Sequence, residues 1–271
     1  MLQQKWARLA LSLISLFFIS YAFISFLAEH QFNSARKLEK LYLWQDAYRK
    51  YETAVHLDPF NCAFLAGFAD FLLKESAYQK NKTAWITKAE ALYLKSMQLN
   101  PFCADCALGL AKARMAFFFQ DKDKYKLKLK EAVYSFHKAL DNDPNGANIN
   151  YVAGYYVMAA ADDLGIDDKN WAKKRLKYAF QLNPRLGQGI YQLIWQKTKD
   201  FTLIREVTPG NLTSQKELLH FIVKEGLWQY RRAQVKKVND YLKSEDPQKW
   251  QEARLQQGKL IQEYKLKINS G

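Results

Sequence analysis

Four segments of the chain end on proline in the same way: AYRKYETAVHLDP, AEALYLKSMQLNP, AVYSFHKALDNDP and AKKRLKYAFQLNP. The prolines, Pro59, Pro101, Pro144 and Pro184, lie 42, 43 and 40 residues apart. A fixed period in this range means stacked supersecondary units, none able to bury its apolar face alone. Twelve residues before each proline stands Ala47, Ala89, Ala132 or Ala172. Eight before it stands Tyr51, Tyr93, Phe136 or Leu176, and five before it Ala54, Ser96, Ala139 or Ala179. Offsets of four and three place the three positions on one helical face. That face reads small, bulky, small, which lets a neighbouring helix approach around one large side chain. The proline then ends the helix, because it drives the residue before it out of the helical region.

A second helix is predicted after each proline. Nine and ten residues on come Phe68-Ala69, Leu110-Ala111, Ala153-Gly154 and Leu193-Ile194. A large residue sits beside a small one, with two exceptions: Ala153 is small and Ile194 is large. The repeating unit is helix, turn, helix, proline.

With its small-aromatic-small triplets, and with segments such as ADCALGLAKA (Ala104 to Ala113) and NINYVAGYY (Asn148 to Tyr156), the chain resembles the tetratricopeptide repeat family over about residues 45–200. The resemblance implies an all-α fold, a right-handed superhelix of stacked helix-turn-helix repeats. The family period is about 34 residues. The excess here falls between the two helices of a unit, in KESAYQKNKTAW, FFFQDKDKYKLK and AAADDLGIDDKN. Either the helices are longer or the turns carry inserts.

Residues 9–28, LALSLISLFFISYAFISFLA, carry no charge. A helix of that length spans about 30 Å, the thickness of a bilayer core. Phe17, Phe18, Tyr21, Phe23 and Phe26 surround it and leave no polar face. We read it as a single transmembrane helix. A cleaved signal peptide is the other reading, with a small-x-small site at Ser20-Tyr21-Ala22; the apolar run continues past that site. Lys5 and Arg8 precede the span, and a short basic tail favours an N-terminus inside and repeats on the periplasmic or other extracytoplasmic side. The expected organisation is a tail at 1–8, the span at 9–28, a repeat domain at 29–199 and a C-terminal helical repeat or cap at 200–271.

The net charge is +14, spread along the chain with local density in KDKYKLKLK. No nucleic-acid motif accompanies it; solvated lysines on exposed helix faces are the simpler expectation, and a basic face held near anionic headgroups is the other. Three cysteines, Cys62, Cys103 and Cys106, are too few and odd in number for a disulfide framework. Cys103 and Cys106 form a CxxC at a helix start, where a thiolate would be stabilised. The simplest expectation is that Cys106 is a packed small side chain; a thiol redox module is the alternative. The four histidines share no position in the repeat, and no nucleophile, phosphate-loop or metal motif is present. Asp162-Asp163 and Asp167-Asp168 read as helix caps and a solvated turn. The chain is expected to be no enzyme and to need no cofactor.

In the family the first helix of each unit lines a groove that holds a partner peptide. Carried over by position, this puts Asn148, Tyr151, Tyr155, Gln188, Tyr191 and Trp195 on one face. Tyrosine and tryptophan beside amides suit recognition of a protein or peptide partner. Equally open at this stage, the next helix or the C-terminal segment covers these aromatics. The lysine and asparagine pattern by which some members hold chaperone carboxylates is absent. After Phe201 the period breaks. Thr208-Pro209-Gly210-Asn211 reads as a turn, and two helices with Gly226 between them are expected to follow. A last helix is expected to start at Asp246-Pro247. The combined expectation is a membrane-anchored scaffold or adaptor, with envelope polysaccharide assembly or export as the favoured setting. A structural subunit of a larger secretion or cytochrome-maturation complex is the alternative.

Overall fold

A computed structural model describes residues 2–245 together with 248 and 251. The helix expected from Asp246-Pro247 lies outside the described residues. Among these residues the chain is all α-helix with short 3₁₀ turns, and it divides into two compact units, residues 1–144 and 145–271.

The first unit holds α1 (Leu2–Lys40), α2 (Trp44–Leu57), α3 (Cys62–Glu75), α4 (Lys82–Leu99), α5 (Ala104–Gln120) and α6 (Lys126–Asn142). Helices pack most extensively in pairs: α1 with α2, α3 with α4, α5 with α6. The second unit holds α7 (Ala147–Ala159), α8 (Ile166–Leu182), α9 (Gly187–Thr198), α10 (Phe201–Val207), α11 (Leu212–Lys224) and α12 (Trp228–Glu245). Here α7 pairs with α8 and α11 with α12.

The repeat triplets are the core. Ala47, Tyr51 and Ala54, and their counterparts in α4, α6 and α8, are all buried. Each helix of this set is stopped by the residue just before its proline. The stopping residues Asp58, Asn100, Asp143 and Asn183 have φ of −132°, −135°, −141° and −142° with ψ of 79°, 90°, 82° and 97°. That is extended backbone, as a following proline ring requires. The helices after the prolines start on side-chain caps where one is available. Asn61 accepts from the backbone N–H groups of Ala63 and Phe64, satisfying donors left open at the helix start.

Small residues in the triplet pattern serve close approach. Beyond the triplets, a Cβ on Gly109 would collide with the buried Tyr93 ring, so α5 can seat against α4 only with glycine there. Both sources of the longer period are present. The helices of the pairs run to 18 residues in α4 and 17 in α5, α6 and α8. Short 3₁₀ turns at Ser76–Tyr78 and Ala161–Asp163 fill the connections. Asp167 and Asp168 sit in the first turn of α8, where the helix dipole favours them.

α1 is one unbroken helix of 39 residues. Its apolar part from Leu11 to Ile24 is exposed, and by length and composition it can cross a membrane. Farther along, Ala28 and Ala35 are fully buried, and Phe32 stacks on Phe64 of α3 with ring centroids 4.7 Å apart. The apolar segment therefore continues into the first core helix with no linker between them.

Beyond α9 the structure adds a short helix, α10, that periodicity did not reveal. Phe201, Ile204 and Val207 are its buried residues. The expected pair follows as α11 and α12, with Gly226 between them at φ +67°, a conformation that suits glycine.

Candidate functional site

The six residues singled out from the sequence all lie in the second unit, on α7 and α9, which pack against each other. Their surroundings differ. Asn148 is exposed at the start of α7, and Tyr155, one helical turn beyond Tyr151, is also exposed. The Tyr151 and Tyr155 rings stand 5.9 Å apart at 51°. Tyr151 leans over α9, where a Cβ on Gly189 would meet its hydroxyl at 2.9 Å. Burial, and then the neighbouring Tyr155, holds the Tyr151 pKa above the ordinary tyrosine value. Trp195 is half-buried on α9, with the Lys199 ammonium 5.2 Å from its ring. Tyr151 and Tyr155 thus form a half-exposed aromatic pair on α7, and Trp195 is half-buried on the helix packed against it.

Gln188 and Tyr191 are engaged with α11. Gln188 Nε2 donates to the Glu217 carbonyl at 2.9 Å and to its carboxylate at 2.7 Å. Tyr191 is 0% exposed, with Phe180 and Phe221 ring centroids 5.5 and 5.3 Å away. Its hydroxyl donates to the Ser214 carbonyl at 3.3 Å and lies 3.2 Å from the Thr208 hydroxyl. For Tyr191 the covered alternative holds: α11 closes over it and it is a core residue. The equivalent positions of the first unit differ in chemistry, since Asp70 accepts from Tyr93 Oη and pairs with Lys112 at 3.5 Å.

Burial raises the pKa of Tyr191, and burial together with the hydrogen bond to Glu39 raises that of Tyr51. Burial works against the charges of Lys88 and Lys128, but their hydrogen bonds to Tyr48 and Glu52, and to Glu90 and Glu131, outweigh it and raise both. A raised folded-state pKa contributes stability that is present below the unfolded value and lost as pH rises towards the folded one. All four groups therefore act in the same sense. Helix content should fall above pH about 10, where unfolded tyrosine and lysine begin to lose protons. Tyrosinate absorbance followed beside far-ultraviolet circular dichroism checks this. The buried Tyr51 and Tyr191 should ionise only as the helix signal drops.

The cysteine expectation needs correction. Cys103 and Cys106 are joined in a disulfide, with Cα atoms 5.2 Å apart, rather than standing as separate packed thiols. Cys103 caps α5, its sulfur accepting from the Cys106 N–H, and this turn of chain brings the two side chains together. Cys106 is nonetheless packed, at 1% exposure, with its sulfur 3.1 Å from the Ser96 hydroxyl. Cys62 is unbridged.

Two concavities were not anticipated. One of about 590 Å³ in the first unit is walled by Trp44, Tyr48 and Trp85 with Arg49 and Glu52. Another of about 250 Å³ in the second unit lies between Met158, Ile166 and Leu203 and the lysines Lys169, Lys173 and Lys197. The aromatic spacing in α2 and α4 hints at the first; the second draws on four helices, α7 to α10, and leaves no local pattern.

Residues 38–181, more than half of the chain, match the family described as the plant-specific mitochondrial import receptor subunit TOM20. The chain belongs to this family. Comparison with the curated proteins found no match. Among solved structures the chain is similar to TTC0263, a thermophilic TPR protein of Thermus thermophilus, at 17% identity and a TM-score of 0.53, over 78% of this chain and 98% of that one. It is also similar to PilF of Pseudomonas aeruginosa at 13% identity and a TM-score of 0.49, over 86% and 99%. The likeness to TTC0263 identifies the fold as the tetratricopeptide-like all-α repeat.

Proposed function

We propose that this chain is a membrane-anchored, non-enzymatic receptor or adaptor that holds a polypeptide partner on the α7 and α9 face, through Asn148, Tyr151, Tyr155 and Trp195. The observation that carries the reading is the half-exposed Tyr151–Tyr155 pair on the helix that packs against Trp195-bearing α9, in a chain whose family is described as a receptor subunit. Rigid aromatics with polar handles supply large contact area at low entropy cost. Gln188 ties α9 to Glu217 of α11, and Tyr191 holds the same helix from within the core.

The anchor is residues 9–28 of α1, and the basic flank of Lys5 and Arg8 supports repeats on the extracytoplasmic side. The family description favours a polypeptide client over a direct part in polysaccharide assembly. A polysaccharide-assembly setting remains compatible only as the pathway that the captured protein belongs to.

Affinity isolation of the tagged full-length chain from solubilised native membranes tests the reading. A partner held by the wild type should be lost from the Tyr155→Ala, Trp195→Ala double variant. Two hot-spot aromatics are worth at least about 2 kcal/mol, roughly thirtyfold in Kd. Circular dichroism should be unchanged, since neither side chain is fully buried. Equal recovery by both proteins would contradict the assignment of this face.

A further inference from the structure

We infer that the two Pro-Phe turns of the first unit, at Phe60 and Phe102, enter the lipid interface, so that this unit rests on the bilayer rather than standing clear of it. The inference rests on the proposed reading of α1 as a membrane anchor. Its starting point is that α1 runs unbroken from the apolar span into the core, with Ala28 and Ala35 both fully buried. The height of the first unit along α1 is therefore set by helix register and not by a linker.

Ring and hydrogen-bond partners give the heights of the turns. Phe32 of α1 stacks on Phe64 of α3 and meets Tyr51 of α2 edge-on, so these residues share a level. The chain reverses before and after α2, so α3 runs in the same sense as α1 and its early residues face the span. Phe60 is four residues before Phe64, which puts it about level with residue 28, where the apolar run ends. In the next repeat the Ser96 hydroxyl donates to the Cys62 carbonyl at 2.8 Å and lies 3.1 Å from Cys106 Sγ. Cys62 and Cys106 thus share a level, and Phe102 lies four residues nearer the span.

Among the described residues, the phenylalanines at this end are largely uncovered. Phe60 is 76% and Phe102 82% exposed, and Leu99 beside Phe102 is 40% exposed. The most exposed aromatics in the turns at the opposite end are tyrosines, Tyr42 and Tyr78, whose hydroxyls suit water. Bare phenylalanines at headgroup level gain by burying their rings among the upper acyl carbons, as apolar side chains of interfacial segments do. Two such contacts beside a rigid span would fix the tilt of the first unit.

The test uses the full-length chain in phosphatidylcholine and phosphatidylglycerol vesicles containing a phospholipid with a photoreactive diazirine near the glycerol end of an acyl chain. After illumination, peptides are mapped for lipid adducts by mass spectrometry. Adducts are expected within residues 11–27 and on Phe60 and Phe102, with none on Tyr78. In the Phe60→Ala, Phe102→Ala variant the adducts at the two turns should be lost and those in the span kept. Adducts in the span with none at either turn would overturn this inference and leave the anchor standing. An unlabelled span would overturn the anchor reading itself and this inference with it.

Discussion

Replacing Arg114 with methionine should be among the most destabilising single changes in the chain, at about 3 kcal/mol, the lower end of the range for breaking a buried ion pair. Arg114 on α5 reaches both neighbouring helices. Its Nε lies 3.1 Å from the Glu90 carboxylate of α4 and 3.3 Å from that of Glu131 of α6. Its Nη1 donates to the Glu131 carbonyl at 3.1 Å and to the Ser135 hydroxyl at 2.7 Å. The side chains of Arg114 and Glu90 are only 14% and 11% exposed, so water does little to compensate a lost partner. Lys128 still holds Glu90 at 2.8 Å in the variant, which is why the lower end of the range is expected. The urea midpoint followed by circular dichroism checks this. Because repeat arrays melt in parts, the loss should show in the transition that includes α4 to α6. A midpoint unchanged from wild type would mean that the network is ornamental to stability.

Phe68→Ala should cost about 3–5 kcal/mol, the usual range for deleting a large buried aromatic. Phe68 is 2% exposed on α3. Its ring centroid lies 5.8 Å from Tyr51, 5.4 Å from Tyr48 and 6.4 Å from Phe71, and the Lys88 ammonium stands 5.2 Å from it. Truncation empties the junction of α2, α3 and α4 together. Phe68→Leu keeps most of the volume and should recover much of the loss, because volume-conserving swaps are tolerated best. If alanine and leucine were equally harmful, the ring geometry and not the filled space would be what matters. The readout is again the denaturation midpoint, with α1 kept in place because Phe32 belongs to the same cluster.

These two sites differ in how far the sequence discloses them. Phe68 follows from the repeat: its position after Pro59 matches Leu110 and Leu193, and burial repeats with it. The triplets Ala47-Tyr51-Ala54 to Ala172-Leu176-Ala179 were equally readable, since each depends only on spacing within one helix. The Arg114 network was not, because Glu90, Lys128 and Glu131 come from segments at unrelated repeat positions. α10 escaped notice because seven residues cannot establish a helical period. The face of α7 and α9 shows the limit of transfer by position. Tyr151 and Tyr191 occupy the same place in successive repeats, yet α11 closes over Tyr191 and leaves Tyr151 half-open. Position in the repeat sets which helix face a residue takes; what covers that face depends on the next element. The cysteine pairing was hidden for a related reason. A CxxC at a helix start is compatible with thiols or with a bridge, and only the folded turn, in which the two sulfurs are bonded, distinguishes them.

The central claim is that the α7 and α9 face holds a protein partner at a membrane. The most direct measurement places a photoreactive phenylalanine analogue at position 155 of the full-length chain in native membranes, with the same analogue at the exposed Tyr134 of α6 as a control. The account predicts one abundant protein adduct from position 155, absent from position 134 and diminished by Tyr151→Ala. Crosslinks from position 155 only to the chain's own C-terminal helices would contradict it, and would mean that the face is already filled.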